Sequence, residues 1–282
     1  MKFLTYRTAD GTARPGVLEG DMIRPIGTHT LREYIALAPH ERIAWHTPDD
    51  LVPLAGTVLD IPVRPPRNVF CVGRNYLEHA LEGARASGRE LRLPEAPTFF
   101  TKASTAVAPP GGTLHLDARA SREYDFEAEL AVVIGARCKD VAEEDAHAVV
   151  FGYTALNDVT ARDLQRRHGQ WFKGKSLDET CPIGPWIVTP EEIGDAQALE
   201  LSLFVNGTRK QHSNTSKMIF PVARLIAELS RGLTLLPGDV IATGTPEGVG
   251  FARTPPEFLR DGDVVEVDIA KIGRLRNIIS IT

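Results

Sequence analysis

Glu127 and Glu129 stand one residue apart in the run Tyr124-Asp125-Phe126-Glu127-Ala128-Glu129-Leu130-Ala131-Val132-Val133-Ile134. The run alternates at period two, so it reads as a β-strand whose side chains take opposite faces in turn. Tyr124, Phe126, Ala128, Leu130, Val132 and Ile134 share one face. The other face starts with Asp125, Glu127 and Glu129 and turns apolar at Ala131 and Val133. Same-face neighbours lie roughly 7 Å apart at Cα, close enough for two carboxylates to share one hard cation. A polar stripe that ends halfway points its carboxylates into a half-buried pocket, where they rarely go without a counter-charge. The competing reading is an ordinary solvated strand face.

Four other groups could do chemistry. Asp158 follows an apolar strand, and strand ends are where binding residues gather; a helix N-cap is the alternative role. A helix starting there would point Arg162 and Gln165 to one side. An arginine beside a cation site suits a substrate carboxylate, and a solvated helix face is the bland counterpart. Lys175 lies in a stretch, 170–186, crowded with Gly, Pro and aromatics. That stretch reads as an irregular buried loop, and its lysine as either a structural cation or a charge aimed at an anion. His79 and Glu82 are one helical turn apart, so the carboxylate can orient the imidazole as a general base. Many helical surfaces hold such pairs. The loop 242–250, Ala-Thr-Gly-Thr-Pro-Glu-Gly-Val-Gly, lacks the Lys-Ser/Thr ending of a P-loop and is not GxGxxG. Tight turns explain its glycines, and backbone N–H groups close to a ligand are the functional alternative. There is no GxSxG elbow and no HExxH.

The elements that must position these groups are mostly strands with helices between them. Residues 2–6 and 17–23 alternate around turns at Asp10-Gly11 and 19–21, and a helix follows over 30–38. The stiff segment Ile-Pro-Val-Arg-Pro-Pro-Arg, 61–67, marks a boundary between a small amino-terminal α/β domain (1–62) and a large domain (66–282). In the large domain, 68–72 reads as a buried strand and 99–100 opens another. A short helix over 142–148 leads to a strand at 149–156, and 158–167 turns helical. Residues 199–205 form a strand ending in the hairpin signal Asn206-Gly207. An amphipathic helix spans 219–230 and stops at Gly232. A final strand pair covers 261–269 and 273–281.

With 282 residues, 43% hydrophobic and 24% charged, the chain is globular and can bury a sizeable core. Its net charge of −5 argues against a general nucleic-acid or anionic-membrane binder. No stretch approaches the ~20 apolar residues of a membrane span, and the start lacks an apolar secretory region. Cys71, Cys138 and Cys181 form no CxxC, which argues against a thiolate zinc site and fits a reducing cytoplasm.

Taken together, GRNYLEHA, FTKASTAVAPPG, YDFEAELAVVIG, NDVTARDLQ, WFKGKS, CPIGPWIVT, PGDVIATGTPEGVG and DGDVVEVDI resemble the fumarylacetoacetate hydrolase family over about residues 66–280. The resemblance implies an α+β, β-rich fold with a β-roll catalytic domain, paired as a homodimer. It implies metal ligands at Glu127, Glu129 and Asp158 and a catalytic His79–Glu82 pair with Lys175. It also implies substrate contacts at Arg162, Gln165, Thr243, Gly244 and Thr245. Two departures stand out. Glu179 occupies a position that is often Thr in relatives, with Thr180 next, and the segment 83–97 is longer than a minimal lid.

Three carboxylates suit Mg²⁺ or Mn²⁺, with Ca²⁺ a third oxygen-seeking ion. The implied reaction is C–C hydrolysis of a β-diketo acid of the acylpyruvate or fumarylpyruvate type. The substrate chelates the ion as a 2-oxo acid, water activated by His79 and Glu82 attacks the distal carbonyl, and the ion and Lys175 hold the enolate. Decarboxylation of an oxaloacetate-like acid and isomerisation of an unsaturated 2-oxo diacid fit the same constellation. Sugar-acid hydrolysis or dehydration, and ligand binding without catalysis, rank behind them.

Overall fold

The structure is a computed structural model, and it describes all residues except 28, 43–50, 87, 89, 91 and 92. Its spine is a long mixed sheet. From one edge the strands run Val52–Pro53, Met22–Pro25, Ala13–Glu19, Lys2–Arg7, Cys181–Val188, Val150–Asn157, Ala128–Ile134, Val240–Ala242, Val69–Gly73 and Thr98–Lys102. The amino-terminal strands join this sheet edgewise, with Lys2 opposite Val188 and Phe3 opposite Ile187 in antiparallel register. A second sheet stacks Thr208–Asn214, Glu200–Val205, Val264–Ile269, Gly273–Ile281 and Thr113–Leu116. The first two of these make the hairpin expected at Asn206-Gly207, both with positive φ (51° and 75°) as a tight two-residue turn requires. This sheet-rich α+β architecture is the fold class the sequence implies.

The period-two reading of 124–134 is correct in its faces and incomplete in its continuity. Ala128, Leu130, Val132 and Ile134 enter one apolar cluster, and Ala131 and Val133 enter another on the far face. The strand is split, however, into Tyr124–Asp125 and Ala128–Ile134. Asp125 pairs with Thr160 and Ala128 with Asn157, so one antiparallel ladder runs on both sides of the break. Glu127 emerges in the break, opposite Asp158. The Asp158 N–H donates to the Glu127 carbonyl (2.9 Å), and the Asn157 side-chain oxygen takes the Glu127 N–H (3.0 Å). The break therefore leaves these main-chain groups satisfied.

Several local expectations change. The helix after Asp158 is Arg162–His168, with Ala161 at its N-cap, so Asp158 does not cap it. The stretch 170–186 is not irregular throughout: it forms a helical turn, Phe172–Lys175, and then the strand Cys181–Val188. Residues 143–149 form a 3₁₀ helix, and the amphipathic helix starts at Val222, after Pro221, and ends at Ser230. The helix near the start spans Leu31–Ala36 and opens with a capping box between Thr30 and Glu33. No helix among the described residues is long and apolar enough to cross a membrane.

Candidate metal centre and active site

Glu127, Glu129 and Asp158 each offer a carboxylate oxygen within 4.8 Å of the others, and all three are buried. Each is held by a different device. Glu127 receives Arg162 Nη2 on one oxygen (2.6 Å) and Lys175 Nζ on the other (2.7 Å). Asp158 receives Lys175 Nζ (2.7 Å) and Lys102 Nζ (2.7 Å). Among the described residues no lysine or arginine donates a hydrogen bond to Glu129; the Gly244 N–H does, at 2.7 Å.

That difference appears in their acidities. Burial, followed by the Asp158 and Glu127 charges, pushes the Glu129 carboxyl well above the usual range. At Glu127 burial opposes ionisation but is outweighed by Lys175, Arg162 and His79, so its carboxyl sits below that range. Burial likewise opposes the Lys175 charge, yet Asp158 and Glu127 overcome it and raise its pKa, so it stays a cation.

Asp125 completes the cluster by accepting Arg162 Nε at 2.8 Å. Four buried carboxylates, Asp125, Glu127, Glu129 and Asp158, thus face three buried cations, Lys102, Arg162 and Lys175. With all four ionised, as a bound cation would require, one negative charge is left over, on Glu129, the carboxyl whose surroundings most oppose ionisation. A divalent cation would turn this deficit into a single positive excess, which the carboxylate of a small acid would neutralise. Because every donor is a carboxylate oxygen, the residues fit a hard ion such as Mg²⁺ or Mn²⁺.

The dyad lies on the helix Leu77–Ala86. His79 Nδ1 stands 3.0 Å from Glu82 Oε1, and the other Glu82 oxygen accepts the Gly248 N–H at 2.9 Å. His79 is near enough for its charge to count, after Lys175 and Arg162, among the influences that lower the Glu127 carboxyl.

The glycine loop binds this assembly together through its main chain. The N–H groups of Gly244, Gly248 and Gly250 go to Glu129, Glu82 and Asp125 respectively. Gly244 has φ +101°, and a Cβ there would stand 2.8 Å from Asn75 Cβ. At Gly250 a Cβ would meet the Glu257 carbonyl at 1.9 Å. Thr243 donates its hydroxyl to the Leu130 carbonyl (2.8 Å), and Thr245 Oγ1 accepts from Gln211 (2.9 Å). Both thus brace the loop. Gln165 bonds Arg162 Nη1 at 3.1 Å. With Asp125, Glu127 and Gln165 all attached, two of the five guanidinium N–H groups have no hydrogen-bond partner among the described residues.

Of the residues singled out from the sequence, Glu127, Asp158, Arg162, Gln165 and Lys175 are joined by hydrogen bonds, and Glu129 joins Gly244. The His79–Glu82 pair joins the glycine loop through Gly248, while Thr243 and Thr245 turn their hydroxyls to the scaffold. Glu179 turns away: its carboxylate accepts the His115 N–H (2.6 Å), while Thr180 donates to the Leu177 carbonyl (2.6 Å). Sequence reasoning missed Lys102 and gave Asp125 no role. A lysine ending the apolar run Phe99-Phe100-Thr101-Lys102 was the available signal for the first. Of the proposed lid 83–97, residues 87, 89, 91 and 92 lie outside the described residues.

Residues 68–280 match the family described as fumarylacetoacetate (FAA) hydrolase, C-terminal. The oxaloacetate tautomerase YisK of Bacillus subtilis (strain 168) is 46% identical over 225 residues, covering 79% of this chain and 73% of that protein. A 2,4-didehydro-3-deoxy-L-rhamnonate hydrolase of Sphingomonas sp. (strain SKA58) is 44% identical over 286 residues, covering 99% and 96%. Among solved structures, the fumarylacetoacetate hydrolase EaFAH from psychrophilic Exiguobacterium antarcticum superposes with a TM-score of 0.86 at 39% identity, covering 100% of both chains.

Proposed function

The chain belongs to the fumarylacetoacetate hydrolase family, and on that premise we propose that it hydrolyses a C–C bond in a small 2,4-diketo acid. The observation carrying this reading is the His79–Glu82 pair, bonded at 3.0 Å and braced by Gly248 beside a buried carboxylate triad. The hydrolase relative supports it, since a 2,4-didehydro-3-deoxy sugar acid carries carbonyls at C2 and C4. Glu127, Glu129 and Asp158 would hold the ion. When bound, a divalent ion supplies Lewis-acid polarisation, worth several kcal/mol of transition-state stabilisation.

The protein's own groups divide the remaining work. Glu82 accepts from His79 Nδ1–H, which leaves Nε2 as the base. Nε2 takes a proton as water adds to the distal carbonyl, and the bond between C3 and C4 breaks with its electron pair moving into a C2 enolate. The imidazolium returns the proton to C3, giving a carboxylic acid and a 2-oxo acid. General-base help of this kind contributes roughly 10²–10⁴ in rate. Lys175 places positive charge beside the developing enolate, and Arg162 directs its two remaining N–H groups to the substrate carboxylate.

The tautomerase relative favours a second reading. There the dyad moves a proton between C3 and the enol oxygen of oxaloacetate and consumes no water. The two separate on one panel: metal-stripped protein is resupplied with Mn²⁺ and given 2,4-dioxopentanoate or oxaloacetate. Release of acetate and pyruvate from the first supports hydrolysis. Intact diketo acid, with accelerated keto–enol exchange of oxaloacetate, overturns it in favour of the tautomerase.

A further inference from the structure

Phe251 sits where the glycine loop passes over the site. Its ring centroid lies 4.4 Å from the guanidinium carbon of Arg162, a cation–π contact. Its far edge reaches the dyad helix at Gly83, where an added Cβ would stand 3.8 Å from Phe251 Cζ. Gly83 directly follows Glu82. The ring therefore spans the interval between the arginine and the helix that carries the dyad.

Asp125 fixes the ring in that place. Its carboxylate accepts from Gly250 N–H (2.7 Å), Phe251 N–H (3.0 Å) and Arg162 Nε (2.8 Å). One buried side chain thus sets the loop and the guanidinium in a fixed relation. The ring itself is only half-buried, unlike the core phenylalanine Phe126.

We propose that Phe251 is a specificity-determining residue: its ring is the apolar wall that limits the size of the group on the distal side of a 2-oxo acid. The inference rests on the 2-oxo acid reading above. An acid whose carboxylate end lies toward Arg162 and whose distal end lies at the dyad runs along this ring. The ring offers no conventional hydrogen-bond donor there, so it senses volume. Hydrophobic pockets discriminate by about 10–200-fold per methylene, and removing a phenyl ring opens far more space than that.

The test uses acids without a carbonyl at C4, which bind and are not cleaved. Calorimetry on Mn²⁺-supplemented wild type, Phe251→Leu and Phe251→Ala would measure 2-oxopentanoate, 2-oxo-5-phenylpentanoate and oxalate, the last too short to pass the ring. The expected result is a preference for the phenyl acid that rises at least about tenfold in Phe251→Ala. Phe251→Leu should fall between, and oxalate affinity should stay unchanged. Equal weakening of all three ligands would overturn the proposal and make the ring a brace for Arg162. An unmoved ratio, or no binding of either 2-oxo acid to wild type, would overturn it too. Because binding alone is read, failure of the hydrolase reading, seen as uncleaved diketo acid, remains separate.

Discussion

The floor and the rim of the site are built on opposite principles. On the floor, Lys102 and Asp158 are wholly buried, and Lys175, Arg162 and Glu127 nearly so, each ion held by two or more partners. At the rim, the His79 and Glu82 side chains keep 12% and 20% exposure, and among the described residues Gly248 N–H is the main-chain donor that reaches the pair. Buried charges are tolerated only when compensated, so the floor gives up stability to fix a carboxylate triad that could hold a cation. The general base proposed here must meet water and substrate, and the exposure of the rim fits that role. The proposed mechanism thus assigns electrostatic positioning and proton transfer to separable groups.

The largest expected effect comes from the rim. His79→Ala should lower kcat by about 10²–10⁴ while leaving the denaturation midpoint and Mn²⁺ affinity in place. A fall in Mn²⁺ affinity with it would erase the distinction between the regions.

Next comes the floor. Lys102→Met strips Asp158 of a 2.7 Å partner in a fully buried pair. Such a loss costs about 3–5 kcal/mol, readable in urea denaturation of metal-free protein. Added Mn²⁺ should restore part of it, because the ion binds the folded state. No stability change would mean that Lys102 is dispensable to the floor.

A smaller effect joins the two. Gly244→Ala forces a side chain into φ +101° against Asn75, a strain of about 1–3 kcal/mol. It should lower the melting temperature and weaken Mn²⁺ binding through Glu129, with His79 untouched.

A separate effect, read against pH, concerns the apolar backing of the floor. Burial raises Cys181 from 9.0 to about 12, and Tyr124 and Tyr153 from 10.0 to about 12. The folded chain keeps these protons after the unfolded chain releases them. Their contribution is therefore full below pH 9.0 and is lost as pH rises toward about 12. The urea midpoint should fall across that window; a flat profile would contradict the assignment.

What was legible in the sequence was local or carried by motif. Period two gave both faces of 128–134, and Asn206-Gly207 gave the hairpin. The His79–Glu82 spacing gave a pair that the structure bonds. What stayed hidden depends on partners far along the chain. Lys102 meets Asp158 across 56 residues and Asp125 meets Gly250 across 125, distances over which no periodicity speaks. The break at 126–127 was equally silent, because alternation continues through it while the ladder does not. Glu179 shows the same limit: proximity to Lys175 in sequence says nothing about where its side chain turns, and its carboxylate accepts the distant His115 N–H.

The separation of floor from rim is tested most directly by Mn²⁺ titration of Glu129→Gln beside His79→Ala, each with turnover of the same diketo acid. Glu129→Gln should lose ion binding and turnover together, and His79→Ala should lose turnover alone. Wild-type Mn²⁺ affinity in Glu129→Gln would contradict the carboxylate triad as the metal site.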